Sequence, residues 1–233
     1  MTELLKQGFS AMQLTVSEEQ IAQLEDFTAR MLETNKVMNL TRITDPQEIA
    51  QKHLLDSASL LTIGDFSNKS VVDVGCGAGF PGMPLHILCP SCRLTLLDSL
   101  GKRIKFLQSC IDGMGLQQIE AVHARAEEYA AKHRESYDFA VSRAVAQLNV
   151  LAELSLPLVK PGGCFIAMKS VDSDVELEAA RHAITVLGGE LEKIVDYPIP
   201  GTEITHRLVV IRKKKHTPKQ YPRPFRKISA QAL

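Results

Sequence analysis

The chain has 233 residues, of which 45% are hydrophobic and 23% are charged, so wholesale disorder is excluded. No apolar run reaches the roughly 20 residues that cross a bilayer, and no secretory signal is recognisable. The five cysteines fit a reducing cytoplasm better than a disulfide framework. The formal net charge is zero, but residues 207–233 carry nine basic and no acidic side chains, which indicates a polyanion-binding end or a solvated tail.

Two helices are predicted at the N-terminal side of the chain. The first, Ser17–Asn35, has apolar residues at helical spacing and begins with a capping box formed by its first residue and Gln20. The second, Asp45–Thr62, can be capped by its first residue, with Pro46 at the first helical position. These segments predict a helical extension ahead of the main domain.

From Ser70 onward, short β-rich runs alternate with helical stretches. This alternation predicts an α/β fold with a mostly parallel, seven-stranded sheet and helices on both faces, whose ligands bind at the carboxyl ends of the strands. The predicted strands are Ser70–Val74, Leu94–Asp98, Ile119–His123, Tyr137–Ser142, Cys164–Lys169, Glu190–Tyr197 and Arg207–Arg212. Helices are predicted up to about Leu88 and over Gly101–Met114, Ala126–His133, Asn149–Leu156 and Asp174–Leu187.

A glycine-rich loop follows the first strand, and two motif registers compete within it. Gly77, Gly79 and Gly82 match the dinucleotide fingerprint G-x-G-x-x-G. Asp73, Gly75, Gly77 and Gly79 match D-x-G-x-G-x-G, whose first glycine follows the strand directly. An acid before the loop gains nothing from a pyrophosphate but suits a cationic ligand with an amino group. The second register therefore favours S-adenosylmethionine, with a dinucleotide or a purely structural turn as alternatives.

Two further positions fit an adenosyl ligand. Asp98 ends the second strand, where an acid can bind ribose hydroxyls of either NAD or S-adenosylmethionine. Ala126 and Glu127 follow the third strand, at the place where an adenine edge would lie.

Several short motifs occur together in a fixed order. They are Asn39–Thr41, His53–Ser57, Asp73–Gly82, Leu97–Arg103, Val141–Ala144 and Tyr221–Arg223. The ordered set resembles the ribosomal small-subunit methyltransferase G family, once called glucose-inhibited division protein B, over about residues 17–230. The resemblance implies a Rossmann-like class I methyltransferase that methylates N7 of a guanine in 16S ribosomal RNA, using S-adenosylmethionine in the bacterial cytoplasm.

The resemblance also implies roles for individual residues. Gly75 and Phe80 would line the methionine end of the cofactor site, and Arg143 would lie beside the reaction centre. The complete set of implied cofactor-binding residues is Asp73, Gly75, Gly77, Gly79, Phe80, Asp98, Ala126, Glu127 and Arg143.

Methylation of guanine N7 places few demands on the enzyme. The nitrogen has a lone pair and no proton to lose, so alignment with the methyl group is required and a general base is not. Arg143 is the catalytic candidate, because its guanidinium can contact phosphate or the guanine edge; a structural ion pair is the alternative.

Basic residues near the same edge are the candidates for RNA contact. Lys169 and Arg207 are predicted to bind RNA, with a solvated strand end as the alternative for Lys169 and a structural role as the alternative for Arg207. Arg223 belongs to the basic C-terminal segment. His53 and Asp56 lie three residues apart on one helix and are expected to tie the N-terminal helices to the catalytic domain, with RNA contact as the alternative.

The predicted organisation is an N-terminal extension (1–66), a cofactor-binding domain (67–212) and a basic tail (213–233). Cys89 and Cys92 form a lone C-x-x-C pair, and no metal site is expected. We expect a monomer that acts on 16S ribosomal RNA or the small ribosomal subunit and does not bind membranes. A methyltransferase of small molecules or proteins, or a dinucleotide-binding protein, is the alternative.

Overall fold

A computed structural model describes residues 1–143 and 146–233; Ala144, at the end of the Val141–Ala144 motif, lies outside the described residues. Its sheet has seven strands in the order β3-β2-β1-β4-β5-β7-β6. The first five strands pair in parallel, and β7 is antiparallel to both β5 and β6, which confirms the predicted fold class. The strands are β1 (Ser70–Val74), β2 (Arg93–Asp98), β3 (Ile119–His123), β4 (Tyr137–Arg143), β5 (Val159–Ser170), β6 (Gly189–Pro198) and β7 (Thr205–Lys213).

Helices precede the sheet and connect its strands. They are α1 (Thr2–Ala11), α2 (Glu18–Met38), α3 (Pro46–Ile49), α4 (Asp56–Ala58), α5 (Gly82–Leu88), α6 (Gly101–Met114), α7 (Ala126–Ala130), α8 (Leu148–Ser155), α9 (Asp174–Val186) and α10 (Phe225–Ala230). In the described part of the chain, none of them is long and apolar enough to cross a membrane.

The N-terminal extension begins with a helix that was not predicted. Leu5 and Phe9 bury one face of α1 in the protein core. The capping box of α2 is confirmed, since the Ser17 hydroxyl accepts the Gln20 N–H at 3.2 Å and the Gln20 side chain accepts the Ser17 N–H at 3.0 Å. The predicted helix Asp45–Thr62 is less regular than expected, because a π-helical segment separates α3 from α4 and a 3-10 turn follows.

Alternate residues of the central strands enter two different cores. Val71 on β1 packs in the core that contains α1, α2, α5 and α6. Val72, the next residue, packs in the core that contains α7, α8, α9 and α10. This alternation follows from the two-residue period of a strand and places helices on both faces of the sheet.

The chain after β7 packs against the domain. Because β7 is antiparallel to β5, its last residue, Lys213, lies at the end of the sheet where the parallel strands begin, opposite the carboxyl ends of β1, β2 and β4. Lys213 is fully buried, and its ammonium donates to the carbonyl of Leu156 at 2.5 Å and to the Thr217 hydroxyl at 2.6 Å. The following residues cross the face of the sheet that α8 covers, where Arg223 bonds Glu153, and reach the carboxyl ends of the parallel strands, where α10 begins.

Candidate active site

A cleft of about 420 Å³ opens at the carboxyl ends of β1, β2 and β4. Asp73 and Gly79 do not line the cleft, although both were predicted to bind the cofactor. The other predicted cofactor residues do line it, namely Gly75, Gly77, Phe80, Asp98, Ala126, Glu127 and Arg143.

The glycine loop has a backbone conformation that side chains disfavour. Gly75, Gly77 and Gly79 have φ angles of +74°, +58° and +100°, a region that glycine adopts without strain. A Cβ atom on Gly79 would also lie 2.8 Å from side-chain carbons of Leu107 and Met83. Gly79 is therefore required for packing beneath the loop, while Gly75 and Gly77 form the cleft surface.

Asp98 connects the end of β2 to the glycine loop. One carboxylate oxygen accepts the N–H of Gly77 at 2.9 Å, and the other accepts the N–H of Leu100 at 2.8 Å. The first oxygen also lies 3.5 Å from the Arg103 guanidinium. Each carboxylate oxygen has two lone pairs, so the second oxygen can still accept a ribose hydroxyl. Asp98 therefore fits an adenosyl ligand and at the same time fixes the loop that surrounds it.

Asp73 lies beneath the loop, away from the cleft. Its carboxylate is fully buried, and one oxygen accepts the N–H of Gly82 at 2.8 Å. The other oxygen has no partner among the described residues, and burial raises the pKa of Asp73 to about 7. Because Asp73 bonds the first turn of α5, its geometry supports the loop and offers no direct contact with an amino group in the cleft.

Arg143 lines the cleft beside Phe80 and is held by several partners. Its guanidinium donates to the carboxylate of Asp56 at 2.9 Å, to the carbonyl of Lys52 at 2.9 Å and to the His53 ring at 3.1 Å. The guanidinium carbon also lies 5.1 Å from the centre of the Phe80 ring. Arg143 thus forms the ion pair named as its structural alternative while remaining part of the cleft lining.

Asp56 is the centre of this polar cluster. Its side chain is 1% exposed and accepts hydrogen bonds from Tyr197 on β6 at 2.7 Å and from His206 on β7 at 2.8 Å. Burial alone would raise the pKa of Asp56, but these hydrogen bonds and the Arg143 charge lower it below its usual value. The expectation that Asp56 ties the N-terminal helices to the catalytic domain is confirmed.

His53 is a neutral member of the cluster. Its ring stacks on Phe80 with centroids 4.5 Å apart, and its Nε2 lies 3.0 Å from the Thr41 hydroxyl. Its Nδ1 lies 3.1 Å from the Arg143 guanidinium and 3.1 Å from the carbonyl of Lys52, so both ring nitrogens face partners within the protein. Burial and the Arg143 charge lower the pKa of His53 to about 4.

Two residues predicted to bind RNA form ion pairs within the domain. The Lys169 ammonium lies 2.5 Å from the Glu176 carboxylate. The Arg207 guanidinium lies between Asp174 at 2.5 Å and Asp196 at 2.6 Å, and Arg207 is 8% exposed. Because these carboxylates already neutralise both side chains, the geometry favours the structural alternative for Arg207. The Lys169 side chain is only 9% exposed, so it is also not the solvated strand end named as its alternative.

Arg223 also has an internal partner. Its guanidinium makes a bidentate contact with the Glu153 carboxylate at distances from 2.6 to 3.2 Å, and its backbone N–H donates to the same carboxylate at 2.8 Å. Glu153 is fully buried on α8. This pair fastens the C-terminal segment to the domain and leaves the Arg223 charge compensated, a role that was not predicted.

Within residues 1–143 and 146–233, no group of three or more His, Cys, Asp and Glu side chains could hold a metal ion.

The fold and the cleft define a class of protein. The structure is similar to precorrin-6y C5,15-methyltransferase from Geobacter metallireducens, with a TM-score of 0.52 and 13% identity over 74% of this chain and 92% of that chain. It is also similar to TYW2 from M. jannaschii in complex with AdoMet, with a TM-score of 0.56 and 14% identity over 73% and 77% of the chains. The architecture is thus that of the class I S-adenosylmethionine-dependent methyltransferases, with the glycine loop and Asp98 at the carboxyl ends of the strands.

Residues 20–204 match the family described as rRNA small subunit methyltransferase G, and the chain belongs to that family. A ribosomal RNA small subunit methyltransferase G from Alkaliphilus metalliredigens is 45% identical over 94% of this chain and 93% of the relative. The protein of the same name from Acetivibrio thermocellus is 44% identical over 99% and 96% of the chains. The resemblance stated from the sequence is confirmed.

Proposed function

We propose that this protein transfers the methyl group of S-adenosylmethionine to N7 of a guanine in 16S ribosomal RNA, acting as a monomer in the cytoplasm. The names of its relatives support the small ribosomal subunit as the source of the substrate. The observation that carries the choice of acceptor atom is the bonding of His53, whose two ring nitrogens both have partners within the protein. Guanine N7 is a nucleophile that needs no general base, so it suits the end of the cleft at which His53 lies.

The residues of the cleft fit the cofactor. Asp98 would accept the ribose hydroxyls, Gly75 would follow the methionine portion, and Ala126 and Glu127 would border the adenine. When bound, S-adenosylmethionine supplies an electrophilic methyl group on a sulfonium. The chain itself has to hold the guanine in line with that methyl group and to exclude water.

Arg143 is the residue we propose to orient the guanine. Three of its guanidinium hydrogens face Asp56, Lys52 and His53, and a guanidinium carries five N–H donors. The remaining two have no partner among the described residues and can donate to O6 of the guanine or to a phosphate. The Asp56 pair then keeps the guanidinium in one orientation before the RNA arrives.

Electrostatic attraction to the RNA is proposed to come from exposed basic residues beside the cleft. Arg226 and Lys227 are exposed on α10 next to Phe225, which lines the cleft. RNA contacts by Lys169, Arg207 and Arg223 would require these side chains to share or leave their present carboxylate partners. Neutralising Arg226 and Lys227 should therefore weaken RNA binding and its salt dependence more than neutralising Lys169.

The test uses methyl-labelled S-adenosylmethionine and small-subunit RNA, free and assembled, from cells that lack this activity. Nuclease digestion and mass analysis should find 7-methylguanosine at one site. At a subsaturating cofactor concentration, Asp98→Asn should strongly reduce the label, whereas Asp112→Asn, at an exposed acid on α6, should not. Cofactor binding without label on either form of the RNA would reject the ribosomal substrate and leave a methyltransferase of small molecules or proteins.

A further inference from the structure

The C-terminal helix contributes a side chain to the cofactor cleft. Phe225, the first residue of α10, lines the cleft together with Arg125, Ala126 and Glu127. It is 37% exposed, which makes it one of few large apolar side chains left open to solvent in the described residues. The Arg125 guanidinium lies 5.3 Å from the centre of the Phe225 ring.

The position of Phe225 is fixed by contacts on both sides of it in the sequence. On the N-terminal side, Arg223 bonds the buried carboxylate of Glu153, and Arg134 donates to the carbonyl of Tyr221 at 2.7 Å. On the C-terminal side, Ile228 is fully buried in the core beneath α8. These contacts hold the start of α10 at the edge of the cleft without any ligand.

The neighbours of Phe225 identify which end of the cleft it belongs to. Ala126 and Glu127 begin α7 next to Arg125, after β3, where the purine of an adenosyl ligand lies against this type of sheet. His53 and Phe80 stack on each other at the other end. An aromatic ring backed by a guanidinium is well suited to pack against the π face of a base.

We propose that Phe225 packs against the adenine of S-adenosylmethionine, so that α10 completes the cofactor pocket. The inference rests on the use of this cofactor and not on the identity of the RNA nucleotide. Its test therefore measures ligand binding in the absence of RNA, and its failure would leave the proposed substrate untouched.

The first experiment uses tryptophan fluorescence. The chain contains no tryptophan, so Phe225→Trp introduces one tryptophan, whose emission reports on the proposed contact. Saturable quenching is expected with S-adenosylhomocysteine and with 5′-methylthioadenosine, because both carry adenine, and no change is expected with methionine. Quenching by methionine as strong as that by 5′-methylthioadenosine would place the ring away from the purine and overturn the proposal.

The second experiment compares dissociation constants by calorimetry. Phe225→Ala should raise the Kd of S-adenosylhomocysteine and of 5′-methylthioadenosine by a similar factor of about 5 to 100, and Phe225→Leu should raise both by less. Ser229→Ala, at an exposed position on the same helix, should change neither, and thermal melting of each variant checks the fold. Unchanged Kd values in Phe225→Ala, with or without a higher KM for RNA, would overturn the proposal; the higher KM would assign the ring to an RNA base.

Discussion

Replacing Asp56 by asparagine tests whether the polar cluster beside the cleft depends on a buried charge. The substitution keeps the shape of the side chain and one acceptor oxygen, which can still face Tyr197 and His206. It removes the negative charge. The Arg143 guanidinium, which lies 2.9 Å from a carboxylate oxygen in the wild type, then faces either an amide NH2 group or a weaker acceptor oxygen. Breaking a buried ion pair on one side costs about 3–5 kcal/mol. Since the Asp56 side chain is 1% exposed and that of Arg143 15% exposed, we expect the free energy of unfolding to fall within that range.

The assay is urea unfolding at several pH values, with Asp26→Asn as the matched control. Asp26 pairs with Arg30 at 3.0 Å, but both side chains are more than one-third exposed, so its replacement should cost below about 1 kcal/mol.

The pH dependence of the same experiment has a definite sign. The pKa of Asp56 is lower in the folded protein than in the unfolded chain, so its contribution is present above the unfolded pKa of about 3.9. That contribution is lost as the pH falls through the folded pKa, and the difference between wild type and Asp56→Asn should shrink below about pH 4. A difference that stays constant down to pH 3, or a cost equal to that of Asp26→Asn, would refute the reasoning.

Three further predictions follow from the site. Asp98→Asn should raise the Kd of S-adenosylhomocysteine about 10- to 100-fold in calorimetry, because the carboxylate that orders the Gly77 loop is lost. Arg223→Ala should lower the free energy of unfolding by about 3–5 kcal/mol and Glu153→Ala by less. The first variant leaves a fully buried glutamate unpaired, whereas the second leaves an arginine side chain that is 22% exposed and can be hydrated. Equal costs in urea titrations would contradict this asymmetry. His53 should contribute no ionisation to the kcat profile between about pH 6 and 8, because its pKa is lowered to about 4; a single ionisation near pH 6.5 in the kcat profile that disappears in His53→Gln would contradict a neutral histidine.

Local signals in the sequence were sufficient for most of the sheet and for the loop. The capping box of Ser17 and Gln20 marks the start of α2, because a side chain and a backbone N–H three residues apart satisfy each other. The strand Ser70–Val74 and the helix Gly101–Met114 have the predicted bounds. One exception is Pro161–Gly163, which lies before the predicted strand Cys164–Lys169 but is included in β5, where the β4–β5 register shifts between Tyr137 and Phe139.

Contacts between distant segments could not be predicted in this way. Tyr197 and His206 reach Asp56 only because β6 and β7 return antiparallel to the edge where Arg143 ends β4. The pairing of Arg223 with a glutamate inside a helix likewise has no local signature, since charge patterns in the sequence do not reveal which carboxylates are buried. A count of basic residues therefore did not show that Lys213 and Arg223 are bonded within the domain, whereas Arg226 and Lys227 stay exposed.

The two ends of the cleft are completed by chain segments outside the predicted cofactor-binding domain. His53 from the N-terminal extension stacks on Phe80 at one end, and Phe225 from the C-terminal segment lines the other. A boundary at residue 66 or residue 212 would thus cut through the cleft lining, even though it follows the change in sequence pattern. The three predicted regions share two cores, so removing either extension would expose apolar surface and open the cleft at once. Removing either extension is therefore expected to lower cofactor affinity and the free energy of unfolding together, which an accessory to a complete methyltransferase domain would not do.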